Sequence, residues 1–274
     1  MSHFEDKAPL VGAVLLIFAV IATTLILAIS LTGILHPGIY GRETANWAAQ
    51  ASGQDWVDLL LAVPWLALSA ARARRGSRGA LLLLAGGLGY AIYELMIYAF
   101  ALHFNALFLV YCAALGFATC AFLGILHALL HHDVRGWFSE RTRVRGAGIF
   151  LVLVGVGFAL LWLSEIVPAL VHGTAPASVV EAGIPSNPVH VLDLSLVLPA
   201  HVVGGVLLLR RHSLGYVAGP VLLAFGILMA ASIAGMLVVM FLRGVAGALS
   251  VAGPMAALSA LAAFFLSRLL RSAR

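Results

Sequence analysis

The sequence predicts an all-α, polytopic membrane bundle of about eight transmembrane helices, and three observations carry that prediction. Of its 274 residues, 62% are hydrophobic and only 10% are charged, with a mean hydropathy of +1.07. Such a chain cannot hide its apolar surface in its own core and needs lipid to cover it. The apolar residues also fall into runs of roughly 20 or more, the length that crosses a hydrocarbon layer of about 30 Å. Finally, the basic residues sit between those runs rather than along one polar face, so the net charge of +5 reads as an orientation signal and not as a nucleic-acid surface. The lipid bilayer is the first partner the sequence implies.

The runs lie at about 9–35, 56–71, 80–102, 105–131, 147–171, 189–209, 215–242 and 245–270, here spans 1 to 8. Met1 to Pro9 is polar. The run that follows is too long for a signal-peptide core and lacks a small-residue cleavage site, which predicts an uncleaved first span. Arg72, Arg74, Arg75 and Arg78 fall between spans 2 and 3, Arg135, Arg141, Arg143 and Arg145 between spans 4 and 5, and Arg210 and Arg211 between spans 6 and 7. With Arg268, Arg271 and Arg274 at the C-terminal end, these all share one side if the spans number eight, leaving Arg42 and Arg243 on the other. Arginine favours the cytoplasm, so both termini are expected there. The dominance of arginine over the one lysine, Lys7, together with abundant Ala, Gly and Leu, matches the coding bias of GC-rich bacteria. The expected location is therefore a bacterial inner membrane.

The chain also reads as one transmembrane domain built from two halves, 9–131 and 147–270. An offset of 135 residues aligns Val57-Asp58-Leu59 with Leu192-Asp193-Leu194, Pro64 with Pro199, Arg75 with Arg210 and Tyr90 with Phe225 without a gap. Four spans per half make the repeat parallel, because an even number of crossings returns the chain to its starting side.

Ionisable groups inside a span are costly to bury, which makes them the first candidates for function. Glu94 falls in span 3, Glu165 in span 5, Asp193 and His201 in span 6, and Asp58 near the start of span 2. At about 100° per residue, Tyr90, Glu94, Tyr98 and Asn105 share one stripe of span 3, and His190, Asp193 and His201 one stripe of span 6. Stripes at matching depth predict a shared polar cavity open to the outside, with Glu94, Glu165, Asp193 and His201 as its ionisable groups. Asn187-Pro188 reads as an N-cap followed by Pro at the first helical position. Asp58 reads as an acid favoured by its helix dipole, and Pro64 and Pro199 as kinks.

Other features carry less chemistry. Cys112 and Cys120 lie eight residues apart in one run, too far along a helix to bridge. His127 and His131 share a helix face near His132 and Asp133, a spacing known in metal sites, but no further ligand cluster completes the set, so no metal is expected. Gly86-Gly87-Leu88-Gly89 follows no strand and is no phosphate loop, and no cofactor is implied. Trp47, Trp56 and Trp137 read as interfacial anchors.

Two stretches, Asn105-Ala106-Leu107-Phe108-Leu109-Val110-Tyr111 and Asn187-Pro188-Val189-His190-Val191-Leu192-Asp193-Leu194, are similar to a family of bacterial multi-span membrane proteins. The resemblance implies an eight-helix bacterial membrane protein and brings with it no activity, cofactor or catalytic residue. Three functions compete on the residues alone. The first is binding or transport of a small cationic or polar solute, or of protons, at the outer cavity. The second is a sensor or assembly subunit whose polar groups join helices. The third is an intramembrane enzyme using a carboxylate and His201 as acid and base, which has no nucleophile or metal motif behind it.

Overall fold

The computed structural model describes residues 11–244, 247 and 249–272, and it is an all-α bundle with no strand among them. Among the described residues, eight helices are long and apolar enough to cross a membrane: Ala13–Leu35, Ala45–Arg74, Arg78–Ala101, Phe108–His131, Arg145–His172, Pro188–Leu209, Ser213–Leu242 and Leu249–Leu270. They are spans 1 to 8 of the sequence, and the chain is a multi-pass membrane protein. Met1 to Pro9, the polar lead into the expected uncleaved span, lies outside the described residues, as do Arg274 and part of the connection before span 8.

The connections gather on two faces. On one, Arg42 donates to the Phe104 carbonyl and Thr44 to the Glu181 carbonyl, so the connections after spans 1, 3 and 5 lie together. On the other, Arg211 donates to the Glu140 and Thr142 carbonyls, Arg78 lies over the Trp137 ring, and Ser139 donates its backbone N–H to Ser272. The second face carries the arginine-rich connections, in keeping with the eight-span count.

Span 2 departs most from its expected bounds. It begins at Ala45, capped by the Thr44 hydroxyl, which accepts from the Trp47 N–H, and it runs 30 residues to Arg74. Polar Asn46, Gln50, Gln54 and Asp55 therefore belong to a helix and not to a loop. Asp58 lies in the interior of that helix, so the dipole account of it fails. Trp47 is buried, not a lipid anchor, and its indole donates to the Ala101 carbonyl at the end of span 3.

Spans 2 and 6 share a distortion. Each carries a π turn that starts on an aspartate, Asp58–Ala62 and Asp193–Val197, with Pro64 and Pro199 just beyond. Proline has no N–H to give and its ring crowds the carbonyl four residues back; a wider turn relieves both. More features recur 135 residues apart. Arg75 and Arg210 end their helices, Gly76 and Arg211 are left-handed with φ of 82° and 54°, and Ser77 and His212 cap the next span with their side chains.

Spans 3 and 7 run in the same direction through the middle of the bundle and touch at Gly86, where an added Cβ would lie 2.5 Å from the Ala224 Cβ and 2.6 Å from the Val221 carbonyl. Only glycine allows that approach. Span 3 is the most enclosed of these helices, with most of its residues from Ala80 to Tyr98 buried. Spans 4, 5 and 8 turn large apolar side chains outward, among them Leu109, Leu153, Leu160 and Phe264, as a lipid-facing surface requires. Cys112 and Cys120 are free and exposed.

Candidate functional site

Two polar regions stand side by side toward the arginine-poor face, one built on Asp58 and the other on Asp193. The first joins spans 2, 3 and 7. Gln54 Nε2 lies 2.7 Å from Asp58 Oδ1, 2.6 Å from the Tyr90 hydroxyl and 3.2 Å from Glu94 Oε2, so its two hydrogens have three neighbours to serve. The Gln54 carbonyl accepts from Ser232, whose hydroxyl accepts from Tyr90 at 2.9 Å. One turn nearer the face, the Asp55 carboxyl accepts from Tyr40 at 2.8 Å and Tyr98 at 2.9 Å. Gly33 of span 1 makes room for it, since a Cβ there would collide with that carboxyl. Burial, with the Asp55 charge beside it, holds the Tyr40 pKa above its usual value, so this hydroxyl stays a donor.

Three buried carboxyls thus sit close together, and among the described residues no basic side chain is bonded to them. Hydrogen-bond donors surround them, and carboxyls crowded together in this way favour a shared proton or a bound cation. Glu94 Oε1 has no hydrogen-bond partner among the described residues. It borders a cavity of about 120 Å³ with Gln50, Tyr93, Met229 and Met236.

The second region is roomier. A cavity of about 400 Å³ is lined by Glu165 of span 5, His190, Asp193 and His201 of span 6, Tyr93 of span 3 and Phe225 of span 7. Asn46, Ser178 and Asn187 line it too, so it extends to the connections of the arginine-poor face. Trp162 Nε1 donates to Asp193 Oδ2 at 2.7 Å, and the Tyr93 hydroxyl is the carboxyl's second neighbour. The Trp162 ring also packs on the His190 ring at 4.8 Å between centroids. His190 Nε2 is buried 3.5 Å from Glu165 Oε2, and the geometry does not make a hydrogen bond. An ion pair closes there only when the imidazole carries a proton. Glu165 Oε1 accepts the Ser178 N–H of the short helix Ala177–Ala182.

His201 lies deeper in the membrane. Its Nδ1 is 2.8 Å from the Val197 carbonyl; a carbonyl only accepts, so Nδ1 holds the hydrogen and a neutral ring keeps Nε2 as an acceptor. That nitrogen faces Gly226 of span 7, where the absent side chain leaves it space.

The sequence-derived candidates therefore divide. Glu165, His190, Asp193 and His201 surround one cavity. Glu94, Tyr90 and Tyr98 do form one face of span 3, but that face packs on span 2 and borders the smaller void. Seven residues, among them Gln50, Tyr93, Val189, Met229 and Met236, are common to both linings. Asn105 is not on the stripe, because span 3 ends at Ala101; its Oδ1 accepts the Leu107 N–H and shapes the turn into span 4. Asn187 caps span 6 through the Val189 N–H, with Pro188 first in the helix, as their order predicts.

Gln54, Asp55, Tyr93, Trp162 and Ser232 escaped the sequence reading. Gln54 and Asp58 are four apart, a helical spacing that shows once span 2 is started at the Thr44 cap; Trp162 and Ser232 carry no local signal. His131 and His132 turn Nδ1 to the His127 and Ala128 carbonyls, and among the described residues no three His, Cys, Asp or Glu side chains are arranged to hold a metal. Comparisons with protein-family models, with curated proteins and with solved structures found no match. Fold and site together define a polytopic membrane protein with paired polar regions inside the bundle.

Proposed function

We propose that this chain, in a bacterial inner membrane with both termini cytoplasmic, binds a small cationic or polar solute, or protons, in the cavity around Asp193 and transports it. The observation that carries the reading is the convergence of Glu165, His190, Asp193 and His201 on one cavity of about 400 Å³ that extends to the arginine-poor face. Two carboxyls make that cavity attractive to cations. Two imidazoles in its wall are groups able to take up and pass on a proton, and His201 carries the set deeper into the membrane. Asp193 opens a π turn, a distortion that recurs at functional sites. The orientation rests on the arginine bias of one face.

The features that recur 135 residues apart support a tandem duplication with an axis near the membrane normal. Gly86 and Val221 are equivalent positions and they touch, as residues beside a two-fold axis do. A second reading, a sensor or assembly subunit, is favoured by the Gln54 network, which bonds spans 2, 3 and 7 to one another as structural polar groups do.

The test is ion flux in proteoliposomes loaded with a pH-sensitive dye, under an imposed membrane potential. The wild type should carry protons, and Asp193→Asn should lower the flux about tenfold or more, since it removes the charge that would hold the cation. A silent wild type, or a flux that neither Asp193→Asn nor His201→Gln changes, would favour the sensor reading.

A further inference from the structure

A cavity of about 650 Å³ opens on the arginine-rich face at the ends of spans 5, 6 and 8, lined by Arg141, Arg143, Arg145, Arg211 and Arg268. Among the described residues no carboxylate comes within 4.0 Å of any of these guanidinium groups. Arg211 is fixed by its bonds to the Glu140 and Thr142 carbonyls, and Arg268 lies over the Phe264 ring. The N-terminus of span 5, a helix of 28 residues, ends in the same place. Val144 offers it no side-chain cap, and its first turn holds no acid.

That combination is unfavourable as it stands. A helix N-terminus carries a partial positive charge and unpaired N–H groups, and basic side chains gathered around it repel it and one another. Orientation alone calls for arginines near span ends, and does not call for five of them round one cavity at an uncapped helix start. An oxyanion satisfies both features together, and phosphate matches the guanidinium fork best.

The neighbouring surface selects the source of that phosphate. Between spans 5 and 8 an apolar groove of about 340 Å³ is lined by Phe150, Leu153, Val154, Phe158, Leu161 and Leu258. Phe265, in the wall of the arginine cavity, packs on Phe150 in the wall of the groove, with centroids 5.3 Å apart. Charge and groove thus adjoin across that aromatic pair in one crevice, arginines toward the arginine-rich face and apolar walls farther along spans 5 and 8. A free phosphate has no use for the second part.

We propose that this crevice binds an anionic phospholipid, with its phosphate among Arg143, Arg145 and Arg211 at the start of span 5 and an acyl chain in the groove between spans 5 and 8. The site is separate from the Asp193 cavity, and the proposal stands whether or not the chain transports anything.

The full-length protein in detergent, titrated with phosphatidylglycerol or phosphatidylcholine and read by native mass spectrometry, tests it. Phosphatidylglycerol should be retained over phosphatidylcholine by about tenfold, and the pair Arg143→Gln and Arg145→Gln should remove that preference. The pair Arg143→Lys and Arg145→Lys keeps the charge and should keep most of the preference, which separates lost binding from lost folding. Leu153→Trp, at an exposed groove position, should weaken retention severalfold with the arginines intact. Equal retention of the two lipids by the wild type, or an unchanged preference in the glutamine pair, would overturn the proposal. Displacement of the lipid by inorganic phosphate, with Leu153→Trp silent, would overturn the lipid in favour of a free phosphate.

Discussion

Asp58 and Asp193 begin the same π turn at equivalent places in spans 2 and 6, yet their surroundings are opposites. In the first half, Gln54, Tyr90, Glu94 and Tyr98 are polar and close into a bonded network. Their counterparts 135 residues on are Val189, Phe225, Met229 and Ile233, all apolar. Asp193 therefore has no network to join; it turns to Trp162 and Tyr93, and beside it the bundle stays open. One backbone distortion thus serves two purposes. Filled with donors it ties helices together, and left among apolar side chains it keeps an acid at the edge of a cavity.

The largest effect that sharpens this contrast belongs to Gln54. Gln54→Leu strips Asp58, Glu94 and Ser232 of a common partner and should cost about 3 kcal/mol or more, because buried polar groups left unpaired lose their full solvation. Val189→Leu at the equivalent position should cost less than about 1 kcal/mol. Thermal unfolding of the purified protein in detergent compares the two. Similar losses at both positions would break the comparison. A smaller effect belongs to Trp162. Trp162→Phe removes the indole donor from Asp193, but cavity water can replace it, so stability should fall by only about 1 kcal/mol. A loss as large as that of Gln54→Leu would mean that the second region is as dry as the first.

Much of this was legible in the sequence, for reasons that differ by element. Run length and arginine placement gave the eight spans, because hydrocarbon thickness and charge asymmetry are global constraints that local chemistry does not override. The Asn187-Pro188 cap was readable because capping is local. The start of span 2 was not, since its first turns are polar and are buried against spans 1 and 7 instead of facing lipid. That error moved Asp58 to a helix end and concealed Asp55 and Gln54. The convergence of Glu165, His190, Asp193 and His201 followed from depth and helical angle. The separation of Glu94 from them did not, because it depends on how span 3 is rotated between spans 2 and 6, which no stripe on one helix specifies.

The central claim, an open region beside Asp193 and a closed one beside Asp58, is tested most directly by thiol accessibility from the arginine-poor face. With Cys112 and Cys120 replaced by serine, single cysteines at Ala230, which lines the larger cavity, and at Ser232, within the network, are exposed to a membrane-impermeant, positively charged thiol reagent in sealed membranes. Only a hydrated thiol ionises and reacts at a useful rate. Ala230→Cys should be modified and Ser232→Cys should be spared. Protection of both, or faster modification at Ser232→Cys, would contradict the account.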